Sequence, residues 1–231
     1  MNRYVFRFEK TGNLRFISHL DLQRLFRRSI KRAQIKVAYT QGYNPHEMIN
    51  VVQALSLGFE STGDYFEIVT PFAYDAQDLM DRFNQTFPEG LKFTSVRVFT
   101  YSSRNLSPKT HSALYEAILP LAEGAELDIA SFVSAPQINI MKKDKKTKKP
   151  VEKNVKDFVY SVDETGRADG SVTLSMRLRC ASNETLNPMN LLASLWKYNG
   201  LDFAPELVRI YRREIFIEEG GKLIPLSEYH E

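Results

Sequence analysis

Two histidines with neighbouring carboxylates are the residues best suited to chemistry in this sequence of 231 residues. His19 lies two positions before Asp21, and His46 directly precedes Glu47. Histidine titrates near neutral pH, so a histidine pair with a carboxylate can cleave RNA by acid–base catalysis without a metal. Capping of the local backbone by His19 and surface exposure of His46 explain the same residues without catalysis. His19, His46 and Asp21 are therefore the catalytic candidates, with a non-catalytic role favoured.

Other catalytic centres are not indicated. The two histidines lack the close ligand spacing of a zinc motif. Cys180 is the single cysteine, lies in an alternating apolar run, and has no partner for a disulfide or a CxxC knuckle. The sequence contains no P-loop, no GxGxxG and no GxSxG. It therefore predicts neither a metal nor a cofactor in this chain.

A basic stripe follows the first histidine. Arg24, Arg27, Arg28 and Lys31 are spaced i, i+3, i+4 and i+7, which places them on one face of a helix. No acid after Asp21 lies among them to form i to i+4 ion pairs, so we expect the stripe to be unneutralised by the protein's own carboxylates. Such a stripe suits contacts with phosphate groups. A solvated helix face is the alternative interpretation.

A second basic region lies in the other half of the chain. Residues 142–149 hold six lysines and one acid, although the net charge of the whole chain is only +3. A run of this kind does not pack, and a mobile loop of lysines can neutralise RNA phosphates without fixed geometry. It is equally typical of a solvated loop. The RNA-binding candidates in this loop are Lys142, Lys143, Lys145 and Lys146.

A Gly-Tyr-Asn-Pro-His turn lies between the two histidines. Gly42 permits a positive φ, Asn44 is held extended before Pro45, and Pro45 fixes its own φ, so the loop is expected to have a defined shape. Tyr43 in this loop could stack on an unpaired base. The motif loop is defined here as six residues: Gln41, Gly42, Tyr43, Asn44, Pro45 and His46.

Periodicity predicts the elements that position these residues. Ser18 is the expected N-cap of a helix ending near Ala33, and Glu60 to Gly63 are expected to form a polar hairpin connection between two strands. The pattern predicts the order β-α-β-β-α-β for residues 3–101 and a repeat of that order in the second half. The predicted fold class is α+β, with tandem, duplicated ferredoxin-like halves. The halves are 1–101 and 111–217, joined by a linker, 102–110, and followed by a tail, 218–231.

The first third of the chain resembles a known family. The pattern is RFxSHLDL, a basic helix, a Gln-Gly-aromatic-Asn-Pro turn, and a strand ending in Leu-Gly-apolar-Glu-Ser. It resembles the radical-SAM-linked protein family of bacteria, a domain of unknown function. The matching positions are Arg15, Phe16, Ser18, His19, Leu20, Asp21, Leu22, Gln41, Gly42, Tyr43, Asn44, Pro45, Gly58, Glu60 and Ser61.

The resemblance implies an accessory role beside a radical SAM enzyme, because members are encoded next to such enzymes or fused to them. This chain has no CxxxCxxC motif, so a partner would hold the iron–sulfur cluster. The leading hypothesis is an adaptor that binds RNA, either tRNA or rRNA, for that partner. An RNA-processing or RNA-modifying enzyme and a pure protein-interaction module are the alternatives.

The N-terminal sequence has no apolar segment of signal-peptide length, and no run approaches the roughly 18 apolar residues of a membrane span. We therefore expect a cytoplasmic protein that does not enter a membrane.

Overall fold

The computed structural model describes residues 1–101, 105–143, 147, 149–168 and 170–230. The chain divides into two compact units. The first contains residues 1–110 and 212–231, and the second contains residues 111–211. The C-terminal 20 residues therefore belong with the N-terminal unit rather than with the preceding half.

The first unit contains two helices and the strands around them. Its elements in chain order are β1 (Asn2–Lys10), α1 (His19–Arg32), β2 (Ile49–Val51), β3 (Glu60–Thr70), α2 (Ala76–Asn84) and β4 (Leu91–Thr100). The C-terminal residues add most of β10 (Arg209–Glu219) and all of β11 (Lys222–Pro225). The strand order is β4-β1-β3, and β2 and β10 both pair with β3.

The core of this unit lies between the sheet and its two helices. Alternate strand residues such as Phe6, Phe66 and Phe93 pack with Phe26 of α1 and Phe83 of α2. Successive side chains of a strand point to opposite faces, so the intervening residues lie on the other side of the sheet. That other face carries charged side chains, and two of them, Arg3 and Glu67, line the cavity described below.

Helix α1 forms as the sequence predicts. Ser18 caps its first turn, because the Ser18 side chain accepts a hydrogen bond from the Asp21 N–H at 3.1 Å. Leu22, Phe26 and Ile30 are buried at helical spacing, which fixes the opposite side of the helix toward solvent.

The predicted hairpin connection at Glu60 to Gly63 is wrong, since these residues begin β3 and are buried except for Thr62. A Cβ added to Gly63 would lie 1.9 Å from the carbonyl oxygen of Arg213 on β10. Gly63 therefore permits the close approach of the two strand backbones. The predicted preceding strand is also shorter than expected, because β2 ends at Val51.

The second unit also mixes strands and helices. Its elements are β5 (Thr110–Pro120), α3 (Ile129–Ser134), β6 (Asn139–Lys143), β7 (Pro150–Asn154), β8 (Val159–Ala168), β9 (Ser171–Arg179) and α4 (Pro188–Tyr198). Strands β5, β9 and β8 are neighbours in that order, with antiparallel pairing. Alternate residues of β9 are buried, as expected for a strand with one covered face.

Strands β6 and β7 form a separate two-stranded antiparallel sheet. The prediction of a free lysine loop over 142–149 is therefore wrong at its beginning. Lys142 and Lys143 lie in β6, opposite Val151 and Pro150. Lys145 and Lys146 lie outside the described residues.

The predicted linker and the predicted tail both pack within the first unit over their described part. In the predicted linker, Leu106 is fully buried and its N–H donates to the Glu67 carboxylate at 3.0 Å. In the predicted tail, β11 pairs with β10 and Tyr229 is buried. These contacts could not be predicted from the polar composition of the two segments.

The described chain is thus a mixed α/β protein with four helices and mostly antiparallel strands. None of those helices combines the length and the apolar character that crossing a membrane requires.

Candidate nucleic-acid interface

The basic face of α1 is exposed, but two of its four predicted cations have carboxylate partners. Arg24 lies 3.0 Å from Asp21, and Arg27 lies 3.4 Å from Glu47. The expectation of a wholly unneutralised stripe is therefore wrong. Glu47 was missed as a partner because it is 20 positions away in sequence and reaches the helix only through the folding of the intervening loop.

The remaining cations of this face have no carboxylate partner within the part of the chain that the structure describes. Arg28 and Lys31 are exposed, and neither forms an ion pair there. Arg32 and Lys36 extend the exposed basic surface beyond the predicted stripe. We call these six residues the α1 basic face: Arg24, Arg27, Arg28, Lys31, Arg32 and Lys36.

The motif loop has a defined base and an exposed tip. The Thr40 N–H donates to the His46 carbonyl, and the His46 N–H donates to the Thr40 hydroxyl, both at 2.9 Å. Gly42 has a φ of +125°, as the sequence predicts. Tyr43 is fully exposed, so its ring is available to a ligand. Glu47, which follows the loop, connects it to α1 through Arg27.

His19 and His46 lie in different surroundings. His19 is half-buried, and its Nε2 lies 3.1 Å from the Gln23 side-chain amide. Burial and, to a lesser extent, the positive charge of Arg212 lower the pKa of His19. His46 is exposed and takes part in the loop through its backbone. Within the described residues, no hydrogen bond joins the two histidines, and their roles as catalytic candidates stay predictions.

Asp21 serves the helix and its first cation. Its side chain accepts a hydrogen bond from the Ser18 hydroxyl at 2.7 Å and contacts Arg24. These two contacts, Ser18 first, lower the pKa of Asp21, so the carboxylate is held charged. A negative charge in the first turn also stabilises the helix N-terminus. Asp21, the third catalytic candidate, thus contacts both the helix cap and the first cation of the stripe.

A buried ionic cluster lies on the sheet beneath the start of α1. Arg212 and Asp64 are each 1% exposed, and the Arg212 Nε lies 2.5 Å from the Asp64 Oδ1. Arg212 also donates to the backbone carbonyls of Gln53 and Ala54 at 2.9 and 3.0 Å. Lys10 is buried beside them, and burial lowers its pKa against the opposing charge of Asp64.

Contacts of Glu60 and Gly58 join the two ends of the sequence motif. The Glu60 carboxylate accepts a hydrogen bond from the Gly12 N–H at 2.8 Å and lies 4.0 Å from Arg15. The Gly58 N–H donates to the Arg15 carbonyl at 2.8 Å. The RFISHLD and LGFES segments are therefore linked by direct contacts. Sequence reasoning missed Lys10, Asp64 and Arg212, because their partners are distant in sequence.

A cavity of about 220 Å³ lies beside the motif loop, also within the first unit. Its apolar lining includes Ile49 and Val69. Its polar lining consists of Arg3, Thr40, Glu47, Asn50, Glu67 and Asn105. Glu47 thus contributes both to this cavity and to the α1 basic face.

Within the described ranges, no three His, Cys, Asp or Glu side chains are grouped so that they could hold a metal ion. The distinctive features of the first unit are instead an exposed basic helix face, a closed loop that presents an aromatic ring, and a small polar cavity. The chain that carries these features is a mixed α/β protein.

The chain belongs to the bacterial family described as "Uncharacterized protein conserved in bacteria (DUF2344)", whose model matches residues 3–188. The matched region includes both segments of the motif and all of α1. A comparison with curated proteins finds no match.

Proposed function

We propose that this protein is an accessory factor that binds RNA, either tRNA or rRNA, through the α1 basic face for a radical SAM partner enzyme. The observation that carries the proposal is the charge of that face. It presents six exposed cations, whereas the carboxylates paired with it are those of Asp21 and Glu47. A surplus of positive charge on a rigid helix favours a polyanion.

The two ion pairs of this face do not prevent phosphate binding. The Arg24 and Arg27 side chains are 68% and 53% exposed, and an ion pair exposed on both sides, such as Arg24–Asp21, contributes about 0–1 kcal/mol. Phosphate oxygens accept charge-assisted hydrogen bonds from guanidinium groups, and binding also releases counterions from the RNA. A phosphate can therefore compete with either carboxylate for its arginine.

The radical SAM partner is supported by the family resemblance of the RFISHLDL and QGYNP segments. Such an enzyme needs a cysteine-ligated iron–sulfur cluster, and this chain has one cysteine, which is buried. Any radical chemistry would therefore belong to the partner, and this chain would hold or orient the substrate.

We also keep the duplicated ferredoxin-like arrangement as a proposal. In the first unit the order β4-β1-β3-β2 and the antiparallel pairing support it. In the second unit, β5, β8 and β9 would correspond to the first, second and third strands of a ferredoxin-like half, and β9 lies between the other two. The β6–β7 hairpin would be an insertion. An experimental strand order for the second unit that differs from this one would refute the duplication.

The test of RNA binding compares two double variants with equal charge change. Arg28→Glu with Lys31→Glu reverses two unpaired cations of the α1 basic face, and Lys92→Glu with Lys222→Glu reverses two exposed cations elsewhere in the first unit. Affinity for tRNA and rRNA fragments is measured by filter binding at low salt. We expect a loss of about tenfold or more for the first variant only. Absence of binding by the wild type, or equal effects of both variants, would refute the proposal.

The partner is tested by co-purification of a co-expressed radical SAM enzyme with and without nuclease treatment. Retention after nuclease shows a direct protein contact, whereas loss after nuclease shows that RNA bridges the two proteins. If the enzyme does not co-purify under either condition, the accessory role is wrong.

A further inference from the structure

The cavity beside the motif loop offers two hydrogen-bond acceptors. Glu47 contacts Arg27 through Oε2, and its Oε1 has no hydrogen-bond partner among the residues described. The Asn50 amide donates to Glu67 at 2.8 Å and to Ser107 at 2.9 Å, which leaves the Asn50 Oδ1 without a donor in the described chain. The Glu47 side chain is 15% exposed and lines the cavity, so its unpaired oxygen is open to a donor that enters the cavity.

The size of the cavity restricts its ligand. Pockets for drug-sized molecules measure roughly 300–1,000 Å³, whereas this cavity measures about 220 Å³. Ile49 and Val69 give it an apolar part next to the polar groups. A single planar base, with apolar faces and a polar edge, suits such a lining better than a larger ligand.

The acceptors select among the bases. Guanine presents the N1–H and the N2 amino group side by side, and a carboxylate can accept from both. The corresponding edge of adenine, cytosine or uracil includes at least one acceptor opposite the carboxylate, and two acceptors facing each other leave both unsatisfied. Glu47 and Asn50 therefore favour guanine.

The position of the cavity also connects it to the proposed RNA surface. Glu47 lines the cavity and pairs with Arg27 of α1, so the two sites share one side chain. The motif loop lies between them in sequence and exposes Tyr43. A strand held by its phosphates on the α1 basic face can place one base in the cavity while Tyr43 stacks on a neighbouring base.

We propose that the cavity lined by Glu47 and Asn50 binds one unpaired guanine base of the RNA. This inference rests on the proposed function. The carboxylate of Glu47 accepts the N1–H and N2–H of the base, and Asn50 accepts a further amino hydrogen. The α1 basic face supplies affinity without sequence preference, and the cavity supplies specificity.

The test uses fluorescent single-stranded heptamers that differ at one position: UUUGUUU, UUUAUUU and UUUUUUU. A fourth heptamer carries inosine, which keeps the N1–H and lacks the N2 amino group. We expect wild type to bind the guanine oligomer about tenfold or more tightly than the adenine and uracil oligomers, with inosine in between. Equal binding of all four would overturn the proposal. This comparison of oligomers uses the wild-type protein alone, so it does not depend on the folding of a variant.

Variants then assign the preference to the cavity. Glu47→Gln and Asn50→Ala should each reduce the guanine-to-adenine ratio toward one, whereas Glu89→Gln, which changes an exposed carboxylate elsewhere in the first unit, should leave the ratio unchanged. A ratio unaffected by both cavity variants would overturn the proposal.

Competition by GMP separates two sources of guanine. If GMP displaces the labelled guanine oligomer at a lower concentration than the unlabelled guanine oligomer requires, the ligand is a free nucleotide, and the RNA proposal is wrong.

The Arg28→Glu, Lys31→Glu variant distinguishes this inference from the function on which it rests. If both are correct, that variant weakens all four oligomers and keeps their ratios. If the basic face does not bind RNA, the variant has no effect on any oligomer. If the basic face binds but the cavity does not, affinity falls with no base preference in any protein.

Discussion

The first unit contains two sets of ion pairs with the same chemistry and opposite exposure. Arg212 and Asp64 are completely buried, and Arg212 also donates to two backbone carbonyls. Arg24 and Arg27 on α1 pair with Asp21 and Glu47 but remain largely exposed. Removal of one partner from the buried set leaves an uncompensated charge in the interior. In the Arg24–Asp21 pair on α1, where both side chains are exposed, water replaces a lost partner at little cost.

This difference separates residues that hold the fold from residues available to a ligand. Arg212 and Asp64 are both buried, so separating them would leave two uncompensated charges in the interior. This pair therefore serves to hold the structure together. The arginines of α1 can exchange a carboxylate for a phosphate. Counting arginines in the sequence would treat both sets alike, although only the exposed set fits an RNA-binding role.

The largest expected effect comes from the buried pair. Asp64→Ala should lower the free energy of unfolding by about 3–5 kcal/mol, because Arg212 then stays buried without its counter-charge. Arg24→Ala, which breaks a pair whose two side chains are both exposed, should lower it by less than about 1 kcal/mol. Urea denaturation of both variants measures the difference. Similar losses for the two variants would contradict the distinction between the sets.

The next effect concerns the strand contact that brings Arg212 to Asp64. Gly63→Ala should destabilise the protein by about 1–3 kcal/mol, because the added methyl group collides with the Arg213 carbonyl. Gly166→Ala on β8 is the matched control, since its nearest contact would be an ordinary 3.8 Å to Thr173. Thermal melts of the two variants test this, and an unaltered melting temperature for Gly63→Ala would show that β3 and β10 are further apart.

A smaller effect is expected at the beginning of α1. Ser18→Ala should cost about 1 kcal/mol, because the Asp21 N–H loses its capping acceptor. Ser18→Asn, which retains a capping oxygen, should recover most of that stability. Chemical denaturation distinguishes the two, and an equal loss in both variants would mean that the cap does not support the helix.

The smallest effect is pH-dependent and belongs to His19. Its pKa in the folded chain is lowered from 6.5 by burial, then by Arg212, while Asp64 opposes the shift. The unfolded chain therefore binds the proton more readily, so the stability contributed by His19 is complete above pH 6.5 and is lost as the pH falls through its folded pKa. His19→Gln should lessen the loss of unfolding free energy on acidification. Parallel acid profiles of variant and wild type would contradict this.

Local patterns predicted the elements that local forces determine. The structure contains the Ser18 cap, the apolar spacing of Leu22, Phe26 and Ile30, and the positive φ of Gly42. Each of these features depends on residues only a few positions apart in the sequence. Membership of a bacterial family of unknown function was likewise predicted from the motif and is confirmed.

Contacts between distant residues could not be predicted in this way. Glu60 to Gly63 resembled a polar turn, yet they form the start of a buried strand. The Glu60 carboxylate there accepts a hydrogen bond from the Gly12 N–H, and the Ser61 hydroxyl donates to the carbonyl of Arg212, about 150 positions away. Glu47 neutralises Arg27 only after the motif loop has closed. Lys142 and Lys143 resembled a free loop, but β7 pairs with them. In each case the deciding partner was absent from the local sequence.

The salt dependence of RNA binding tests the central claim most directly. If Arg28 and Lys31 contact phosphates, replacing both with alanine removes two contacts, and the slope of log K against log salt should become less steep by roughly 1.4 for single-stranded RNA. The matched Lys92→Ala, Lys222→Ala variant should keep the wild-type slope. An unchanged slope for the α1 variant would contradict the account.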